Sequence, residues 1–511
     1  MPDNTLRQEG IEDEMDPHAA EYYSNNIGFI NSNQEQKAFF EEIKTYIDNN
    51  TGDFFGLDAP AGTGKSFLIN LILAYIRKDK DIAIGCAICG IASVILRLGT
   101  TFHKRWHPPK NPKEYDTCNI DLDSIEANII RAAKFIAIDV TSMMHKELLD
   151  CMDVYLRRLM GMDKPFGGKL VVIIFDMRQL PPVVVGGKRA SIASKSIRNS
   201  RVWQHIKLRH LTRNMRVERL ISNGASPERV DKLKWYANWL LRIGDDTNPT
   251  TLRVGTRSLI PIPSYMLCHT PKDLRQRVYP DFERRHTDKE YLMKRAILGC
   301  KNDLIQQRNN EMIELLPGDT FESISTDYCM NDDDNRNVDV NTLNSLEPSG
   351  LPPHRLLLKR NACVILMRSL IPRKGFCNGK RCLVKDIRGN LLVLTPLDGT
   401  GPDIFVPRIP MECRDSSLGI PFMRRQYPIL LAYYLTINRS QGQTLDVTGI
   451  ELPTNVFMHG HLYVGCGRTG NPDELHIYAN QDGFDNIRDA HLNPDVSYVQ
   501  NVVWPELLIP H

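Results

Sequence analysis

A chain of 511 residues is long enough for about three domains. It carries 42% hydrophobic and 24% charged residues and a net charge of only +3, so bulk charge announces no polyanion partner. The acidic, polar N-terminus is no signal peptide, and the longest apolar stretch, near residues 67–76, falls far short of a membrane span. Twelve cysteines without a framework point to a reducing compartment, and the nucleus is the expected location. In chain order, residues 1–28 are predicted to be a disordered acidic tail. Residues 29–218 read as a first domain, because the apolar runs 54–58, 82–88, 135–139 and 170–176 alternate with helix-like segments, the pattern of a parallel α/β sheet. Residues 219–290 read as a partly helical connection, with Trp235, Trp239, Leu240 and Leu241 on an apolar face. Residues 291–511 form a second domain with a β-rich insertion at about 318–425, where short runs are broken by Gly, Pro and Asn. Within it, NDDDNRN at 331–337 fails the calcium-loop spacing and is expected to be a solvated loop.

The most informative stretch is DAPAGTGKS at 58–66, set between an apolar strand and the apolar helix FLINLILAYIRK. Gly62 and Gly64 let backbone N–H groups around Thr63 turn into one concavity that cradles phosphate oxygens. Lys65 can reach the β/γ-phosphates, Ser66 can hold Mg²⁺, and the helix N-terminus adds its positive end. ATP with Mg²⁺ is therefore the expected cofactor. The strict pattern asks for Gly at position 59, where this chain has Ala59.

A nucleoside triphosphatase also needs a strand-end carboxylate for Mg²⁺. Asp139, after FIAI, and Asp176, after VVIIF, both qualify, and the chemistry alone leaves both open. Cys86, Cys89, His103 and His107 match a zinc-finger spacing, but both cysteines lie in the apolar run IAIGCAICGIASVIL. Buried free thiols are expected there, and no structural zinc. Two basic segments contain no acid: Met177–Val217, with ten Lys or Arg, and Pro348–Lys385, with nine. They predict a path for a polyanion.

Beyond these local readings, the chain resembles the petite-integration-frequency (Pif) type of superfamily-one DNA helicases, closest to the Helitron transposon branch, from about Ile30 to Ile477. NQEQKAFF at 33–40 resembles the adenine-reading motif, with Gln36 as its glutamine. CGIAS at 89–93 and the segment around His103 resemble the first DNA-contact motif. DKPFGGKLVVIIFDMRQLPPVV at 163–185 resembles the third motif, which implies that Gln179 senses the γ-phosphate and that Asp139 takes the metal. LTRNMRV at 211–217 and HGHLYVGCGRTG at 459–470 imply that Arg216 and Arg468 neutralise phosphate charge from the opposite domain, Arg468 as an arginine finger. SGLPPHRLLLK at 349–359 and RRQYPILLAYYLTINRSQGQTLD at 424–446 are further matches, and Ser440, Gln441 and Thr444 in the latter imply coupling of nucleotide state to DNA grip.

The resemblance implies two RecA-like P-loop domains and ATP-dependent 5′→3′ unwinding in repair, recombination or telomere maintenance. Single-stranded DNA and duplex junctions are the implied partners, and the gene is a free-standing helicase or a piece of a mobile element. Three single positions and one three-residue run depart from the pattern. Val140 stands where the family has its water-activating Glu, Phe175 replaces Gly, Ser369 replaces Asn, and Gly465–Cys466–Gly467 replaces an Ala-Leu-Ser-like run. Valine has no lone pair, so the alternative reading is an ATP-gated single-strand DNA-binding protein with crippled hydrolysis.

Overall fold

The computed structural model describes residues 14–254, 257–330, 339–348, 350–371, 374–413, 421–480 and 496–509. The acidic loop at 331–337 lies outside them. The chain divides into two compact units, one of residues 1–241 with 503–511 and one of residues 242–502.

The first unit is built on a six-stranded parallel sheet: β1 (Phe54–Asp58), β2 (Ala83–Ala87), β3 (Thr100–Thr101), β4 (Phe135–Asp139), β5 (Val171–Phe175) and β6 (Lys207–His210). Their order is β3-β2-β4-β5-β1-β6. β1, β2, β4 and β5 are buried throughout, as a parallel sheet covered on both faces requires. Alternate residues serve opposite cores. Phe54, Ile136, Ile138, Val171 and Ile173 face one. Phe55, Leu57, Phe135, Ala137, Val172 and Ile174 face the other. β6, with Lys207 and His210 exposed at its ends, is a charged edge strand. The helix Gln34–Asp48 starts where Asn33 accepts hydrogen bonds from the Glu35 and Gln36 N–H groups at 3.0 and 3.2 Å.

Of the tail expected over 1–28, the described residues 14–28 are structured. Ala19–Asn26 is a helix, and Tyr23 packs on Phe40 and Tyr75 at 6.3 and 5.5 Å between ring centres. Asp16 pairs with Arg97 at 2.6 Å and Glu14 with Arg105. An acidic composition looked unstructured locally, but these acids meet arginines 81 and 91 residues later. The connection expected over 219–290 is likewise divided: the unit boundary falls inside the helix Pro227–Asp245, and Arg257–Pro261 pairs with Leu252–Val254 and with the late strand Tyr498–Asn501.

The second unit contains a four-stranded parallel sheet, with Tyr434–Thr436, Arg295–Gly299, Val447–Leu452 and Leu475–Ala479 side by side in that order. Its β-rich insertion is antiparallel. Arg381–Arg388 pairs with Leu391–Pro396 and with Cys363–Leu366, and Phe422–Gln426 pairs with Thr326–Cys329 and Ile409–Glu412. Both units have the RecA-like α/β form, and the insertion lies in the second. No helix among the described residues is long and apolar enough to cross a membrane.

Candidate functional site

Ligands of open α/β sheets bind at the carboxyl ends of the strands. Here β4, β5, β1 and β6 lie in a row, and each ends in or beside an ionisable residue: Asp139, Asp176, Asp58 and His210. β1 runs directly into the glycine-rich loop. Ala59 is fully buried and its N–H donates to the Phe175 carbonyl at 2.9 Å. Its φ is outside the left-handed region, so the absent glycine is not needed at this position. Gly62 and Gly64 do have left-handed φ values of +89° and +82°. A Cβ on Gly64 would also sit 2.4 Å from Gln36 Nε2. The N–H groups of Gly64, Lys65 and Ser66 have no protein acceptor among the described residues, as in an anion cradle at the start of the helix Lys65–Arg77.

Gln36 is buried, and its Nε2 donates to the Thr63 carbonyl at 2.8 Å. The Thr63 hydroxyl donates to the Pro60 carbonyl at 2.9 Å. Arg216 is the second residue of the helix Met215–Ser222 after β6, and the preceding Met215 N–H donates to the Gly62 carbonyl at 2.8 Å. Arg216 therefore belongs to the same unit as the P-loop and not to the opposite one, which corrects the expectation. Only Arg468 comes from the other unit.

The two candidate carboxylates have different surroundings. One oxygen of Asp139 accepts from the Val140 N–H at 2.7 Å. Burial pushes its carboxyl up, and the nearby Lys65 ammonium pulls it down. Asp176 is instead held by protein groups: Gln179 Nε2 donates to it at 3.1 Å and Arg178 Nη1 lies 3.5 Å away. Arg178 also faces Asp58 at 3.8 Å. On the far side, His210 Nδ1 is 3.4 Å from Asp58, and that carboxylate raises the imidazole above its ordinary value. This chain of Gln179, Asp176, Arg178, Asp58 and His210 crosses three strand ends. Sequence reading missed Asp58, Arg178 and His210; the signal available was a run of ionisable residues at strand ends.

Two departures from the family pattern have a structural account. Val140 has φ +59° and ψ +37°, a left-handed conformation that is a genuine outlier for a β-branched residue. Phe175 fits where a glycine was expected because Gly56, on the neighbouring strand, has no side chain; a Cβ there would meet the Phe175 ring at 3.0 Å and Ile206 at 2.4 Å. Trp203 packs against the same ring at 5.6 Å.

His103 is exposed on the short helix Phe102–Trp106 in the first unit. Cys86 lies inside β2, where its thiol faces the Ala137 carbonyl at 3.5 Å. Among the described residues no group of His, Cys, Asp or Glu is arranged to hold a metal by itself. In the second unit Ser440 and Gln441 are buried and Thr444 is exposed. Arg468 is buried beside them and donates to the carbonyls of Val464, Ser440 and Gln443 at 2.9, 3.2 and 3.0 Å. It ties two motif segments together within that unit.

The acid-free runs do not present bare cationic faces. In the first, Lys195 pairs with Glu147, Lys207 with Asp53, Arg209 with Glu42, Arg213 with Glu218 and Arg189 with Glu506. In the second, Arg355 pairs with Glu322, Arg360 with Asp386, Lys380 with Asp398 and Lys385 with Asp403. Acids outside the runs thus meet about half of their basic residues, so the runs are not bare cationic faces and charge alone does not trace the path of a polyanion.

Comparison with known proteins matches this geometry to one family. The profile described as PIF1-like helicase matches residues 31–253, and that described as DNA helicase Pif1, 2B domain, matches residues 341–387. The ATP-dependent DNA helicase PIF1 of Xenopus laevis is 25% identical over 429 residues, covering 82% of this chain and 57% of that protein. The ATP-dependent DNA helicase Pif1 of Bdellovibrio bacteriovorus is 24% identical over 434 residues, covering 84% of each. The chain thus spans little more than half the length of the frog relative. Among solved structures, the Bacteroides Pif1 helicase in complex with ADP-AlF3 and single-stranded DNA superposes with a TM-score of 0.59 at 20% identity, covering 86% of this chain and 91% of that one. The Candida albicans Pif1 helicase gives 0.57 at 19% identity, over 87% and 94%. The two Pif1 profiles together span just over half of the chain, which belongs to the PIF1-like helicase family.

Proposed function

We propose that the protein is an ATP-dependent DNA helicase that moves 5′→3′ on single-stranded DNA. The observation that carries this reading is the P-loop with its open N–H groups beside a strand-end carboxylate, Asp139, that has Lys65 for a neighbour. Gly62, Thr63, Gly64 and Lys65 cradle the phosphates, and Gln36 reads the base edge of adenine. Mg²⁺ fits Ser66 and Asp139: the Ser66 hydroxyl has no protein partner among the described residues, and Asp139 keeps one oxygen outside its bond to Val140. Hard cations favour such oxygen donors, and the ion would screen phosphate charge. Asp176, held by Arg178 and Gln179, is the poorer metal ligand. Gln179 is set to sense the γ-phosphate, and Arg216 and Arg468 supply cationic stabilisation.

His103, Ser440, Gln441 and Thr444 are the proposed DNA contacts. The single-stranded and forked DNA named in the Pif1 structures is the substrate class this reading adopts. Repair, recombination or telomere maintenance in the nucleus is the proposed setting, with descent from a Helitron-like element as the origin. Val140 favours a second reading, in which nucleotide and DNA bind but hydrolysis is slow. A steady-state ATPase assay with and without single-stranded DNA, run beside strand displacement on a forked duplex, tests both. The helicase reading expects DNA-stimulated hydrolysis and displacement, both lost in Lys65→Ala. Binding of Mg·ATP and DNA without displacement selects the second reading, and no binding of either overturns both.

A further inference from the structure

Three arginines of the first unit stand around the segment that resembles a DNA-contact motif. Arg77 ends the helix Lys65–Arg77, Arg97 follows the helix Gly90–Ile95, and Arg105 shares the helix Phe102–Trp106 with His103. Arg77 is architectural: its guanidinium donates to the carbonyls of Arg97 and Ala83 at 2.6 Å each. Arg97 and Arg105 are held differently. Among the described residues, the acceptors of their guanidinium groups are two acids near the N-terminus. Arg97 donates to both oxygens of Asp16 at 2.6 and 2.8 Å, and Arg105 donates to Glu14. Under these acids the Arg97 and Arg105 side chains are only 20% and 12% exposed. Three guanidinium groups against two carboxylates leave the cluster cationic, and the Nε atoms of Arg77 and Arg105 are buried without a hydrogen-bond partner among the described residues.

The segment that brings the acids is laid inside out. Glu14 is buried, whereas Met15 and Pro17 are exposed. Charge rather than apolar burial holds it, and such a contact yields to salt or to a competing anion. The helix behind it, Ala19–Asn26, is anchored separately by Tyr23 against Phe40 and Tyr75. Residues 14–17 can therefore lift without opening a core. Tyr22 of the same helix stacks on the Arg97 guanidinium at 4.3 Å, so Arg97 keeps its place when Asp16 leaves.

We propose that Glu14 and Asp16 act as an internal competitor of nucleic acid: they cover Arg97 and Arg105 in the free protein and give way to two phosphates of an arriving strand. Carboxylate and phosphate offer a guanidinium the same paired oxygens, so one can replace the other. Each strand must displace the acids before these arginines add to its grip, and the resting protein holds DNA less tightly than its basic residues allow. The proposal rests on the single-strand reading above and adds to it an autoinhibitory contact made by the chain's own N-terminal segment.

Fluorescence anisotropy with a labelled thymidine oligomer over a salt series tests it on the full chain. Glu14→Gln/Asp16→Asn is expected to bind about 2- to 30-fold more tightly at low salt, the amount that two ion pairs near a surface can withhold. The slope of log K against log salt should steepen by about 1.4, two phosphates' worth. Glu21→Gln/Glu41→Gln removes the same charge from exposed positions and should leave the slope unchanged. The gain should vanish when Arg97→Gln/Arg105→Gln is also present. In the wild type, the N–H groups of His18 and Ala19 both bond Asp16 at 3.1 Å, and their hydrogen exchange should quicken when the oligomer is bound. An unchanged slope in the folded acid variant, a gain that survives loss of both arginines, or exchange that the oligomer leaves unmoved or slows makes the two acids a structural brace; each overturns the competitor and leaves the single-strand reading standing. Failure of the wild type to bind the oligomer overturns both.

Discussion

At the scale of single residues, Val140 is the most consequential position in the first unit. It follows the buried Asp139, lacks a proton acceptor, and holds a left-handed backbone that a β-branched residue adopts only under strain of about 1–3 kcal/mol. The two properties predict separable effects. Val140→Asn should raise the melting temperature, since Asn tolerates this conformation far better. Val140→Glu should increase DNA-stimulated ATP turnover by about 10²-fold or more, the low end of what a general base contributes. That factor corresponds to about 3 kcal/mol of barrier. Turnover by the wild type at an ordinary helicase rate, unmoved by Val140→Glu, would sink this account of the site. Asp176 would be a poor replacement base, since Arg178 and Gln179 already occupy its carboxylate. The P-loop was legible from sequence because its chemistry is contiguous. Local chemistry left Asp139 and Asp176 both open, because their surroundings depend on partners that arrive from other strand ends, and only the family resemblance favoured Asp139.

At the scale of elements, buried and half-buried ion pairs decide how segments are joined. Arg424, in the strand Phe422–Gln426, is fully buried and meets the equally buried Asp327 of the adjacent strand at 2.6 Å. Its remaining donors bond the carbonyls of Pro352, Leu343 and Leu346 at 3.1 Å each. Arg424→Ala should destabilise the insertion by about 3–5 kcal/mol, because it leaves Asp327 charged and uncompensated. Calorimetry of the whole chain would read this as a lowered transition for the second unit, and an unchanged profile would refute it. His210 makes a weaker, titratable joint between β6 and β1. Asp58 raises its folded pKa above the ordinary 6.5, Arg178 opposes that shift, and Glu35 supports it. The stabilisation is therefore complete below about pH 6.5 and is lost as pH rises through the folded value. Melting temperature should fall over that window in the wild type, and His210→Gln should flatten the fall. The strands were legible as elements from their apolar runs. Their charge partners were not: ten basic residues without a neighbouring acid looked like a binding face until Glu42, Asp53, Glu147, Glu218 and Glu506 folded against five of them.

At the scale of the whole molecule, the chain leaves the first unit at Leu241 and returns to it at Val503, so the second unit is an insertion in the first. No local sequence signal marked the return, since residues 503–509 carry no motif and act only through contacts made hundreds of residues away. Trp504 and Leu507 are both buried, and Ile509 packs on a core of the parallel sheet. Glu506 meets Arg189 through two hydrogen bonds of 2.7 Å, and Arg198 donates to the carbonyls of Glu506 and Leu508. The Arg189–Glu506 pair is largely exposed and adds little by itself. The apolar side chains matter more: burying Trp504 and Leu507 is worth about 3–6 kcal/mol together. Truncation after Val502 should therefore weaken the first unit while leaving the second nearly unchanged, although the cut adjoins the second unit's own strand Tyr498–Asn501. Calorimetry can separate the two, because a non-hydrolysable Mg·ATP analogue bound at the P-loop raises chiefly the transition of the unit that holds the loop, Arg468 being the one phosphate contact proposed from the second. The transition that responds to the analogue is expected to move down on truncation, and the other to stay. If the truncated chain instead loses the analogue-insensitive transition, the C-terminal segment belongs energetically to the second unit, and the insertion topology gives the first unit no support.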